Sequence, residues 1–239
     1  FCHLPLLFGP DGKKLSKRHG DTSVSSFRER GVLPETMFNY MSILGWSPGN
    51  DIEIFDKEFA ISNFDLKNVL GNPAIFDTQK LLWMNGQYIR EFDGKTFNKI
   101  ARDTIETSLS RELFSEEIER INLIVSVVQE RLETLNDLTE QVKFLLDEPF
   151  NVDENEWDEV NSKAAQDYLT NIRNQFKTMK VFELEKIEAM MREELKKLNL
   201  KPKEGFQAAR VAITGTKISP PLFESIYALG QSSTIARIA

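Results

Sequence analysis

From about residue 23 onward, apolar residues recur at helical spacing in segments punctuated by Gly, Pro and Asn. Ser23 suits the cap of a helix reaching Arg30, with Gly31 as its stop. Pro34 suits a first helical position, and residues 34–44 set Met37, Phe38, Met41 and Leu44 on one face that is expected to be buried. Gly45 and the turn Trp46-Ser47-Pro48-Gly49 follow. Ser62 reads as a cap for residues 66–70, and Asp77 for residues 78–84, closed by Asn85-Gly86. Trp83, among Leu81, Leu82 and Met84, is expected in the core. Past Phe97 the segments lengthen. Ile118, Ile121, Ile124, Val125, Val128, Leu132, Leu135 and Leu138 predict a long helix from Ser115 with a break near Asn136-Asp137.

Residues 147–159 are acidic, contain Pro149 and read as a loop or subdomain junction that would repel RNA phosphates and is expected to face away from any bound RNA. Helices are expected over 162–176, 181–198 and 222–229, the last following Pro220-Pro221 and ending at Gly230, with Ser232 or Ser233 capping a final short one. Beyond residue 60 there is no strand-like alternation, and no repeat is evident. The expected fold class is mainly α.

Composition narrows the function without naming it. Of 239 residues, 41% are hydrophobic and 28% charged, as in an ordinary globular protein. No membrane-length apolar run and no signal peptide are seen, so the expected location is cytoplasmic, without a membrane partner. One cysteine excludes an internal disulfide framework, and two histidines leave no zinc cluster. Asp153, Asn155 and Asp158 lack the glycine and glutamate a calcium loop needs. A net charge of −7 argues against blanket nucleic-acid binding, so any RNA contact must run through local basic patches.

One such patch opens the chain. Pro10-Asp11-Gly12 forms a turn, and Lys13, Lys14, Lys17 and Arg18 surround Leu15 and Ser16, ahead of His19-Gly20. These cations suit a polyphosphate, or merely a solvated basic loop. The string HLPLLFGPDGKKLSKRHG, residues 3–20, closely resembles the second ATP-binding signature of bacterial-type glutamyl-tRNA synthetases, the class I loop usually written KMSKS. "LPETMFNYMSILGWSPG" and "FDLKNVLGNPAIFDTQKLLWMNGQYIR" resemble the stem-contact domain of that family, and "RVAITGTKISPPLF" its all-helical anticodon-binding domain.

The resemblance implies a layout: residues 1–22 ending a class I catalytic domain, 23–100 a stem-contact domain, 101–160 and 161–239 two helical subdomains of an anticodon-binding domain. It implies a carboxyl-terminal fragment, since no HIGH-type sequence is present; the apolar opening, without a start methionine, agrees. It further implies a monomer, from a ligase joining glutamate to tRNA-Glu with ATP through glutamyl-adenylate. Whether tRNA-Gln is also charged stays open. Lys17 would carry the catalytic charge, closing on the phosphates, while Lys14, Leu15, Ser16 and Arg18 complete the ATP loop. Magnesium would accompany ATP in the whole enzyme, and no metal is expected on this chain.

For tRNA, Lys80 and Arg90 are implied phosphate contacts near the inner corner of the tRNA, and Arg131 an anticodon-side contact. Arg210, Ser219, Pro220, Leu222 and Phe223 fall on positions that meet anticodon bases, with Ser219 where a Thr is frequent and Pro221 where the family can carry Gly. A glutamine-charging relative would read the anticodon with β-barrels, and a base-modifying one would stop near residue 100. The competing reading is a non-catalytic helical interaction module.

Overall fold

The computed structural model describes residues 4–16, 18, 23–146 and 150–238. It is mainly helical, as the apolar spacing predicts, and it divides into two compact units. The first is Phe1–Phe97 with Gln129–Asp137, and the second Asn98–Val128 with Leu138–Ala239.

In the first unit, strand β1 (Leu7–Phe8) pairs in parallel with β2 (Ala74–Ile75), Leu7 opposite Ala74 and Phe8 opposite Ile75. A two-residue strand is too short to show alternation, which is why β2 escapes the sequence reading. Helix α1 (Val24–Glu29) is capped by Ser23, whose hydroxyl accepts from the Ser26 N–H at 3.2 Å. Helix α2 (Pro34–Gly45) starts at its proline, and half of its expected apolar face is inside: Leu44 is in the core and Met37 packs against it. Thr36, Asn39, Tyr40 and Leu44 point inward, while Phe38 and Met41 are 39% and 47% exposed. The polar pair is bonded inside, though not completely: Thr36 Oγ1 donates to Asn85 Oδ1 at 2.9 Å and Asn39 Oδ1 accepts from Phe55 N at 3.1 Å, while the buried Asn39 Nδ2 has no partner.

Helix α3 (Lys57–Asn63), capped by Asp56, was not anticipated, and the helix expected over 66–70 is a single 3-10 turn, Leu66–Asn68, capped by Asp65. Helix α4 (Thr78–Glu91) begins at Asp77 as expected yet runs through Asn85-Gly86. Gly86 is there for space: a Cβ would lie 2.8 Å from the Leu132 carbonyl oxygen. Phe27, Val32, Tyr40, Leu44, Phe76, Leu81 and Met84 form the core under these elements.

The chain passes into the second unit along α5 (Gly94–Leu109). In place of one long helix from Ser115 come α6 (Ser115–Asn122), α7 (Val125–Gln129) and α8 (Asp137–Val142). The intervening stretch belongs to the first unit, where its polar side chains serve carbonyls at helix ends. Gln129 Nε2 donates to Ile89 O and Phe92 O at 2.8 and 2.9 Å, and Asn136 Nδ2 to Glu29 O at 2.6 Å.

The acidic run is not all loop either: Asp153 caps α9 (Glu154–Val160), accepting from Glu156 N at 2.9 Å. Glutamates in its first turn suit the positive end of the helix dipole. Ser162 caps α10 (Lys163–Thr178), and α11 (Leu184–Lys197) follows. Pro202 ends nothing further; it opens α12 (Pro202–Thr214) from the first helical position. Helix α13 (Leu222–Leu229) matches its expected limits, and α14 (Gln231–Arg237) starts directly after Gly230 without a serine cap. Gly205 lets α10, α11 and α12 meet closely, since a Cβ there would sit 2.3 Å from Leu195 Cδ2. No helix among the described residues is long and apolar enough to cross a membrane.

Candidate nucleotide and RNA contact sites

Residues 7–15 form a small hairpin. Leu15 N donates to Leu7 O at 2.8 Å, Gly9 N to Lys13 O at 2.8 Å, and Gly12 N to Gly9 O at 3.0 Å. Gly12 takes φ 72°, and Asp11 Oδ1 accepts from Lys13 N at 3.0 Å, so the turn is fixed locally. Leu15 is half-buried against the core that holds Phe27 and Phe76, and it anchors the loop. Lys13, Lys14, Ser16 and Arg18 stay exposed and line an open depression together with Asp11. Lys17 lies outside the described residues. The arrangement offers cations on a pinned hairpin, which suits phosphate oxygens by charge and position.

Helix α4 carries the second constellation. Lys80, Trp83, Gln87 and Arg90 follow one another at three- and four-residue steps and so share a face. Trp83 is 44% exposed, against the expectation that it is core. Lys80 forms an ion pair with Glu53, and Arg90 Nη1 donates to Glu130 O at 3.2 Å. Arg131 is exposed and belongs to the stretch that packs with this unit. It thus lies in the same unit as Arg90.

Two tyrosines stiffen this unit. The Tyr40 hydroxyl donates to Asp77 O at 2.9 Å and accepts from Asp77 N at 2.7 Å, and burial pushes its ionisation up to about 12. Tyr88, donating to Phe55 O, is likewise pushed up to about 12, chiefly by burial.

The third constellation is the turn between α12 and α13. Arg210 Nη1 donates to Ser219 Oγ at 2.7 Å, Ser219 O at 3.2 Å and Pro220 O at 2.5 Å. Of these predicted contacts Ser219, Pro220 and Leu222 are buried, while Phe223 is half-buried. Thr214 Oγ1 donates to Thr216 O at 3.1 Å and Thr216 Oγ1 to Ile218 O at 2.8 Å, and Gly215 takes φ 86°. Lys217 Nζ pairs with Glu159, and Lys217 N donates to Glu156. The acidic helix α9 thus lies beside this turn, not remote from it, with part of its charge matched.

Sequence reasoning missed three neighbours. Phe206, four residues before Arg210 on the same face of α12, meets Phe223 edge-on at 5.3 Å, and the Arg192 guanidinium lies 5.5 and 5.4 Å from the two rings. Ile218 is 79% exposed on the turn. The four-residue step from Phe206 to Arg210 was the available signal. Among the described residues no group of three or more His, Cys, Asp or Glu could hold a metal ion.

Residues 95–239 match the family model described as anticodon binding domain, and the chain belongs to that family. Residues 1–83 match the model described as the catalytic domain of class I tRNA synthetases (E and Q).

Among curated relatives, glutamate–tRNA ligase 1 of Caldanaerobacter subterraneus subsp. tengcongensis is 36% identical over 241 residues, covering 100% of this chain and 50% of that protein. The glutamate–tRNA ligase of Natranaerobius thermophilus is 34% identical, with 100% and 49% covered. The crystal structure of a glutamate tRNA ligase from Elizabethkingia meningosepticum, in complex with its amino acid, superposes with a TM-score of 0.82 at 25% identity, covering 100% of this chain and 50% of that one. The chain spans about half the length of the curated relatives it matches.

Proposed function

We propose that this chain is the tRNA-gripping part of a glutamate–tRNA ligase, which joins glutamate to tRNA-Glu with ATP through glutamyl-adenylate. The observation that carries the reading is its match, from end to end, to half of proteins named for that activity. The Ser219-Pro220 turn, with Arg210, Leu222 and Phe223, meets unstacked anticodon bases through edges, backbone and apolar faces, and Arg192 and Phe206 extend that surface. The α4 face with Lys80 and Arg90, together with Arg131, meets the phosphate backbone at the inner corner of the tRNA. A phosphate must compete with Glu53 for Lys80, so Arg90 is the stronger contact of the two.

The hairpin serves ATP. Lys17, with Lys14, Ser16 and Arg18, stabilises charge developing on the departing pyrophosphate, and Leu15 holds the loop to the core. Its work is electrostatic and positional, and no general base is asked of these residues. ATP, with its magnesium, enters as substrate of the whole ligase in the cytoplasm. These 239 residues alone do not make glutamyl-adenylate.

The test is a titration of the 239-residue protein with the tRNA-Glu anticodon stem-loop at rising salt. Saturable binding that weakens steeply with salt is expected, with no glutamate-dependent ATP–pyrophosphate exchange. Absence of binding at low salt refutes the tRNA role, and exchange by these residues alone refutes the division of labour.

A further inference from the structure

The turn between α12 and α13 meets the acidic helix α9, an unfavourable neighbour for a surface that reads RNA. The approach is built in. Asp153 N donates to Gly215 O at 3.0 Å, and a Cβ on Gly215 would lie 2.5 Å from Asn151 O, so the segment leading into α9 is pressed against the start of the turn. Two carboxylates of the helix then converge on Lys217: Glu156 accepts from its backbone N–H, and Glu159 pairs with its ammonium. Lys217 is the one charged residue in the stretch 215–221. Its side chain is 22% exposed, whereas Ile218 beside it is 79% exposed. The tip thus turns an apolar side chain to solvent and keeps its cation against α9.

We propose that Glu159 is a specificity-determining residue: by holding Lys217 it withholds the single cation of the tip from phosphate, so that the turn discriminates bases instead of gripping any RNA strand. The inference rests on the proposed function, in which this turn meets anticodon bases. Glu156 is a positioning residue, since its bond to Lys217 N fixes the backbone from which the ammonium reaches Glu159. A phosphate contact favours every strand alike, while base contacts favour one sequence. A loop with the right bases is held in register by them and gains little from a further cation. A loop without them is free to slide a phosphate onto Lys217 once Glu159 no longer competes for it. The carboxylate therefore weakens the wrong RNA more than the right one.

The test is binding of two stem-loops to the 239-residue protein: that of tRNA-Glu, and the same stem-loop with its three anticodon bases replaced by adenines. Glu159→Gln removes the ion pair, and because Glu159 is 70% exposed the packing is left as it is. Glu154→Gln, the same charge change in the first turn of α9, is the control. Glu159→Gln is expected to tighten the adenine loop roughly three- to tenfold and to steepen its salt dependence by about one phosphate contact. The tRNA-Glu loop changes less than about twofold, so the preference for it falls. Adding Lys217→Gln restores the preference, and Glu154→Gln alone leaves it in place. An undiminished preference in Glu159→Gln, an equal fall in Glu154→Gln, or a fall that Lys217→Gln does not reverse overturns the proposal. The unmodified protein tests the proposed function separately: if it does not prefer the tRNA-Glu loop, the anticodon reading fails and this inference with it.

Discussion

Asn85 is fully buried in α4 with every hydrogen-bonding position in use. Its Oδ1 accepts from Leu33 N at 2.8 Å and Thr36 Oγ1 at 2.9 Å, and its Nδ2 donates to Gly31 O at 3.2 Å and Glu133 O at 2.7 Å. One side chain thereby ties α4 to the start of α2, the turn after α1 and the stretch before α8. Asn85→Ala strands several of these partners, each at a desolvation cost, and is expected to lose about 3 kcal/mol in urea unfolding. A loss below ~1 kcal/mol would mean that water replaces the amide.

Tyr168, its ionisation also raised by burial, contributes to the alkaline limit alongside Tyr40 and Tyr88. Burial pushes Tyr40 and Tyr88 from their ordinary value near 10 up to about 12, so above pH 10 the unfolded chain gives up protons that the folded one keeps. Stability is therefore full below pH 10 and falls as pH rises towards 12. Tyr40→Phe should flatten that fall in unfolding curves taken across the interval; an unchanged profile removes Tyr40 as a cause.

Where elements could be read from sequence, a local device decided them: Ser23, Asp77 and Ser162 at helix starts, and Pro220-Pro221 before α13. Where they could not, a long-range partner overrode the local signal. Asn85-Gly86 looks like a stop because the reason for that glycine, the Leu132 carbonyl, is far away in sequence. The broken helix after Ser115 fails for the same reason, since Gln129 and Asn136 answer to the ends of α4 and α1. Of the candidate sites, the hairpin was legible as a turn with cations, whereas Arg192 and Phe206 come together only by folding.

Gly86→Ala separates the two explanations of that glycine. Alanine gains up to about 1 kcal/mol of helix propensity. The Cβ, however, meets a backbone oxygen that cannot swing away, a clash costing roughly 1–3 kcal/mol. Net destabilisation is expected in thermal unfolding; a stabilised variant would show that the stretch beside α4 yields readily.

For the molecule as a whole, charge shapes the partner question more than size does. With a net charge of −7, attraction to RNA must be local, and the cations are distributed that way: the hairpin, the α4 face with Arg131, and the Arg192–Arg210 cluster. Two of these constellations are assigned to one RNA, the α4 face to its inner corner and the α12–α13 turn to its anticodon. Hydroxyl-radical footprinting of tRNA-Glu on the 239-residue protein tests that assignment most directly. Protection is expected at both the anticodon loop and the inner corner, with Arg210→Ala removing the first and Arg90→Ala the second. A footprint confined elsewhere, or protection of both regions indifferent to the two substitutions, would contradict it.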